Sequence, residues 1–94
     1  MKAIWQGVVL AHSDDTVVVE HNHYFPADAL VREHFRQSAH STVCPWKGEA
    51  GYYDVIVGDQ VNENAAWFYA DPKPEASAVR GRVAFWKGID VVAD

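Results

Sequence analysis

Three side chains are of the types that covalent or acid–base chemistry requires: Cys44, Lys47 and Glu20. A nucleophilic cysteine acts as its thiolate, which a nearby cation, a histidine or a helix N-terminus must stabilise. Lys47 follows Cys44 by three residues in Cys44-Pro45-Trp46-Lys47-Gly48, so a turn there would bring ammonium to thiol. His40 precedes Cys44 by four residues. Along an extended chain that is about 13 Å at ~3.3 Å per residue, too far for a dyad. The commoner fate of a lone cysteine is to be a small buried hydrophobe. Glu20 closes the run Val17-Val18-Val19. Facing inward it would be desolvated, its pKa raised and its carboxylate suited to general-base work; facing water it would not.

His21-Asn22-His23 sets two imidazoles at i and i+2. On a strand these share a face and could chelate a metal, with His12, Glu20 or Asp28 as a third ligand. Exposed strand-end histidines fit the same spacing, and no cofactor is expected. The larger signal is the set Trp46, Tyr52, Tyr53, Trp67, Tyr69 and Trp86. Such rings wall pockets, stack on planar ligands or cage cations. Lys47, Arg80 and Arg82 could hold a carboxylate or phosphate on such a ligand. Core packing claims some of the rings, yet buried Tyr and Trp need partners for OH and NH, so six of them point to a partly polar cavity. The expected ligand-binding residues are Trp46, Lys47, Tyr52, Tyr53, Trp67 and Tyr69.

The elements that would position these groups are mostly strands. Residues 2–11 and 16–20 carry β-branched side chains and flank the turn-forming His12-Ser13-Asp14-Asp15, which predicts a hairpin. Pro26 suits a helix start, and Leu30/His34 and Val31/Phe35 at i,i+4 predict one short helix over about 26–35. Residues 36–43 are polar and read as a connection. Strands are expected over 50–57 and 65–70, with a short one at 60–61 between the turn signals Gly58-Asp59 and Asn62-Glu63-Asn64. Asp71-Pro72-Lys73-Pro74 breaks the pattern, residues 75–79 suit one helical turn, and strands at 83–86 and 89–92 close the chain. Alternation outweighs helical periodicity. The expectation is a mainly β fold, with antiparallel sheets in a compact sandwich, open barrel or tent-like arrangement. Trp5-Gln6-Gly7, Trp46-Lys47-Gly48 and Trp86-Lys87-Gly88 recur at near-equal spacing, but the residues around them match poorly.

Ninety-four residues make one domain, 1–94, with an adequate core. Eight basic against thirteen acidic residues leave a formal charge of −5. No summed positive field draws this chain to nucleic acid or anionic lipid, so neither is expected as a partner. One cysteine forms no internal disulfide and no thiolate zinc site by itself. No segment has the length of a signal peptide's apolar core or of a membrane span, and a cytoplasmic location is expected.

Thr42, Cys44-Pro45-Trp46-Lys47-Gly48, Ala50 and Tyr52-Tyr53 resemble a known pattern. So do Val17-Val18-Val19-Glu20, Tyr24-Phe25-Pro26, Ala65-Ala66-Trp67, Tyr69, Pro72, Pro74, Gly81 and Val83-Ala84-Phe85-Trp86-Lys87-Gly88. Together they resemble, over nearly the whole chain, the small bacterial family catalogued as domain of unknown function 427. The resemblance implies a compact, mainly β fold and no established activity. It also suggests the tent-like sheets of certain zinc-bearing modules; those use two pairs of cysteines, so with one Cys the kinship would be architectural only. The family is sometimes filed under a nucleotidyltransferase-like label. This chain has neither a Gly-Ser followed by spaced aspartates nor a glycine-rich phosphate loop, and Asp14-Asp15 reads as a solvated turn.

Three functions compete on this reading. The first is binding of a small polar or planar molecule in an aromatic pocket beside the Cys44–Gly48 turn. The second is a small enzyme using Cys44, Lys47 or Glu20. The third is an interaction module, or a homodimer, that presents aromatic residues to a protein partner.

Overall fold

The structure, a computed structural model, describes residues 1–94. It contains nine strands: β1 Lys2–Trp5, β2 Val8–His12, β3 Val17–Val19, β4 Asn22–Tyr24, β5 Phe35–Cys44, β6 Gly48–Val57, β7 Gln60–Phe68, β8 Val83–Phe85 and β9 Asp90–Val92. They form a four-stranded sheet in the order β5-β6-β7-β8, a three-stranded sheet β2-β1-β9 and the hairpin β3-β4, all antiparallel. The sheets stay open and do not close into a barrel. The mainly β architecture expected from alternation is therefore present. Reciprocal backbone bonds between Phe25 and Val83, at 2.8 and 2.9 Å, fasten the small hairpin beside β8.

Two apolar clusters lie on opposite faces of the four-stranded sheet. On one face Val55, Ala66, Val83 and Phe85 meet Ala3, Leu10, Ala11 and Ile89 of the three-stranded sheet and its flanks. On the other, Ala50, Tyr52, Tyr69 and Ala84 meet Tyr24 and Val79. Successive side chains of a strand alternate faces, so Tyr52 and Tyr53 part company, as do Tyr24 and Phe25. Tyr53 stacks with Phe68 and Phe35 on the first face, at centroid distances of 4.8 and 5.8 Å.

Several boundaries differ from the sequence reading, each for a local reason. The run 2–11 is two strands, because Gln6 and Gly7 adopt φ of 52° and 74° and close a tight hairpin on the Trp5–Val8 pair. The helical element at 26–35 is two 3-10 turns, Ala27–Ala29 and Arg32–His34, with extended backbone at Leu30 and Val31. Leu30 is drawn out by a bridge to Ala11, and the Val31 N–H by a bond to the Leu10 carbonyl at 2.8 Å.

The polar stretch 36–43 is not a connection but most of β5. It is polar because β5 is an edge strand with most of its residues exposed, and charged or polar side chains suit an open edge. Residues 38–40 bulge between the Gln37–Tyr53 and Ser41–Gly51 pairs. There Ser38 donates to Asn64 Oδ1 at 2.6 Å and accepts from the His40 N–H at 3.0 Å. Asn62-Glu63-Asn64, expected as a turn, lies inside β7; Asn64 has φ 55° in a second bulge, its N–H held by Asp54 Oδ1 at 2.9 Å.

An aromatic cavity with one buried lysine

The Cys44–Gly48 segment turns the chain from β5 into β6 and is pinned against Asp71-Pro72-Lys73. Lys73 N–H donates to the Lys47 carbonyl at 2.8 Å, and Lys73 Nζ donates to the Pro45 carbonyl at 2.6 Å. Gly48 has φ 113°, and a Cβ there would stand 3.6–3.7 Å from the Asp71–Lys73 backbone. The left-handed φ, more than crowding, calls for glycine. Held this way, the segment sends Lys47 inward, where only 6 % of the residue remains exposed.

Lys47 forms the wall of a cavity of about 170 Å³ whose other walls are Tyr52, Trp67, Tyr69 and Trp86. Strand parity explains the grouping: Tyr52 on β6 and Trp67 on β7 are cross-strand partners on one face, and Tyr69 lies two residues beyond Trp67. Trp86 stands edge-on to Trp67, with centroids 6.0 Å apart and an 83° interplanar angle. Trp67 is in turn edge-on to the buried Tyr24 at 6.2 Å and 89°. Trp67 thus meets both of these neighbouring rings edge-on, a favoured arrangement of aromatic pairs.

The Lys47 ammonium pairs with Glu20 and lies 5.4 Å from the ring centroids of both Trp46 and Tyr69. Burial works against its charge, but the Glu20 hydrogen bond and the phenols of Tyr24 and Tyr69 outweigh it and raise the pKa above 10.5. The pairing with Glu20 thus favours the ammonium form of Lys47. The Lys47 hydrogen bond holds the Glu20 carboxyl below its ordinary 4.5. Burial raises the Tyr69 phenol above its usual 10.0, against a smaller opposing pull from Lys47.

The sequence candidates divide accordingly. Lys47, Tyr52, Trp67 and Tyr69 converge on the cavity, and Trp46 flanks the lysine. Tyr53 faces the other side of the sheet. Glu20 is not an inward-facing base of raised pKa: it sits on the β3–β4 turn at φ 53°, half-exposed, and the ion pair lowers its pKa. Cys44 is free and half-buried among the Tyr24–Tyr69 cluster, while the His40 ring packs on Tyr52 at 4.7 Å, so no Cys44–His40 dyad is assembled. Arg80 is spent on Asp71 at 3.1 Å and Arg82 on Asp15 at 3.3 Å, so neither joins Lys47.

His21 occupies the turn at φ 68°, not a strand position, and His23 Nδ1 is hydrogen-bonded with Thr16 Oγ1 at 3.0 Å; the same-face premise of a metal pair therefore fails. The grouping that does have ligand spacing is His12, Asp14 and Asp94, all exposed. Trp86 belongs to the candidate aromatic set but not to the expected binding residues, and Tyr24, which props Trp67 from behind the lining, belongs to neither. The Trp86-Lys87-Gly88 turn was the available signal: Lys87 and Gly88 adopt φ of 55° and 81°, as Gln6 and Gly7 do after Trp5. Trp46-Lys47-Gly48 does not share that backbone, since Lys47 has no positive φ.

Fold and site together define a small, open-sheet β domain with a single-lysine aromatic cavity. The chain matches the family described as Domain of unknown function (DUF427) over residues 1–94, and it belongs to that family. No curated protein matches it. No helix is long and apolar enough to cross a membrane.

Proposed function

We propose that this domain binds a small planar molecule, one ring in size, in the cavity between Tyr52, Trp67, Tyr69 and Trp86. The observation that carries the reading is the hollow of about 170 Å³ beside a buried ammonium. Engineered apolar cavities of about 150 Å³ accept benzene, whereas sites for drug-sized ligands run to about 300–1,000 Å³. A single substituted ring fits this scale and a nucleoside triphosphate does not. The carboxylates argue the same way against nucleotidyl transfer: Asp15 pairs with Arg82, and Asp14 lies in the exposed His12 cluster.

The test is a thermal-shift series with single-ring compounds on wild type and Trp67→Ala. A ligand that binds only the folded state raises Tm by mass action. At 100 times Kd the gain is about 2.7 kcal/mol, or roughly 10–20 °C for a domain of this size. The reading expects at least one ring compound to raise Tm in wild type and not in the variant. Equal shifts in both proteins would move binding elsewhere. A second reading, docking of a protein partner or a second copy, draws on the exposure of Trp46 (38 %) and Trp86 (48 %) at the rim. Sedimentation that detects a dimer lost in Trp86→Ala would favour it.

A further inference from the structure

We infer that Glu20 is a built-in competitor for the cavity's anion subsite, and that the ligand is a single-ring carboxylate that replaces it on Lys47. The inference rests on the ring-binding reading of the cavity. It begins from the polar ends of three of the four wall rings, which are taken up by partners other than Lys47. Tyr52 OH is bonded with Thr42 Oγ1 at 2.9 Å, Trp67 Nε1 donates to Tyr24 OH at 3.1 Å, and Trp86 Nε1 donates to the Asn64 carbonyl at 2.6 Å. These three walls therefore present π faces, the Tyr69 phenol stands beside Lys47, and the charged group of the lining is Lys47. Its ammonium has three N–H donors, one of which goes to Glu20.

The pair is lopsided. The Lys47 side chain is 8 % exposed and that of Glu20 is 53 %. Separating them returns Glu20 to water at small cost but strands a buried cation, which is unfavourable unless another anion takes its place. A cationic ligand would meet like charge at Lys47, and a neutral one would leave Glu20 where it is. A ring carboxylate satisfies both the π walls and the ammonium, offering the same group that Glu20 offers. The mounting of Glu20 suits exchange. It lies with His21 in a two-residue turn at φ 53° and 68°, positions that asparagine and glycine fill more comfortably. The Glu20 side chain is 53 % exposed, so solvent is open to it on leaving Lys47.

Benzoate and benzamide, rings of one shape with and without charge, separate the alternatives when titrated calorimetrically and by indole NMR. The proteins are wild type, Glu20→Gln and Lys47→Met. Glu20→Gln is expected to bind benzoate about three- to fivefold more tightly than wild type, the range of a partly screened ion pair, with benzamide unchanged. Lys47→Met is expected to lose the preference for benzoate over benzamide. If both compounds bind wild type but Glu20→Gln improves neither, or both alike, the competitor role is overturned while the ring cavity stands. If neither compound shifts the Trp67 or Trp86 indole resonance in any of the three folded proteins, the cavity reading fails and this inference fails with it.

Discussion

Replacing Gly51 by alanine tests how the floor of the central sheet is built. Gly51 on β6 is paired with Phe68 on β7, and the Phe68 ring lies across the glycine. A Cβ at residue 51 would fall 2.6 Å from Phe68 Cζ and within 3.1 Å of Cε1 and Cε2. Ordinary carbon contacts are about 3.5–4.0 Å, so the ring must retreat by roughly 1 Å. It cannot retreat freely, because it stacks on Tyr53 at 4.8 Å. Overpacking of this kind costs about 1–3 kcal/mol. The backbone itself would accept alanine, since Gly51 has no positive φ, and reduced unfolded-state entropy returns about 0.4–1 kcal/mol. The clash wins by about 1–2 kcal/mol, which lowers Tm by roughly 4–16 °C in a domain of this length. Calorimetry and urea denaturation of Gly51→Ala, Phe68→Leu and the double variant measure this. The account expects the loss in Gly51→Ala to shrink when Phe68 is also shortened. A Tm within 2 °C of wild type, or strictly additive effects, would refute the steric argument.

Other outcomes follow from the same contacts. Tyr24→Phe removes the acceptor of the Trp67 indole N–H at a fully buried position. It should cost about 1–3 kcal/mol in urea titration and change the Trp67 indole shift. Arg82→Met removes bonds to the Asp15 carbonyl at 2.6 Å and to its carboxylate at 3.3 Å; amide exchange over residues 13–16 should quicken before global stability falls. Stability should also vary with pH at both ends. The lowered pKa values of Glu20 and Asp94 contribute stability that is present above the ordinary carboxylate range and lost as pH falls through the folded values. The raised values of Lys47 and Tyr69 contribute stability that is complete below about pH 10 and lost as pH rises further. A urea midpoint measured across pH should fall at both extremes, Glu20→Gln flattening the acid limb and Tyr69→Phe part of the alkaline one.

The sequence was most legible where alternation is clean. Trp67 and Tyr69 fall on one face by parity alone, and they do share the cavity; Tyr52 joins them through its cross-strand pairing with Trp67. It was least legible where polarity has two causes. Residues 36–43 are polar because an edge strand meets water, and a connection would show the same composition. Asn62-Glu63-Asn64 carries turn-type residues because a bulge needs Asn64 at positive φ, which a turn would need as well. Tyr53 was grouped with Tyr52 by type, although adjacent strand residues must face opposite ways. The Glu20–Lys47 pair spans 27 positions and depends on how the β3–β4 hairpin docks beside β8. No local pattern encodes that docking, so Glu20 read as an isolated carboxylate whose neighbour could not be named.

A crystallographic soak with single-ring carboxylates gives the most direct measurement of whether the hollow receives a ligand. The account predicts ring density between Trp67 and Trp86, with a carboxylate oxygen within hydrogen-bonding distance of Lys47 Nζ and Glu20 swung into solvent. Crystals in which Trp86 closes over Lys47 and fills the space, or in which every ring settles elsewhere on the surface, would contradict it.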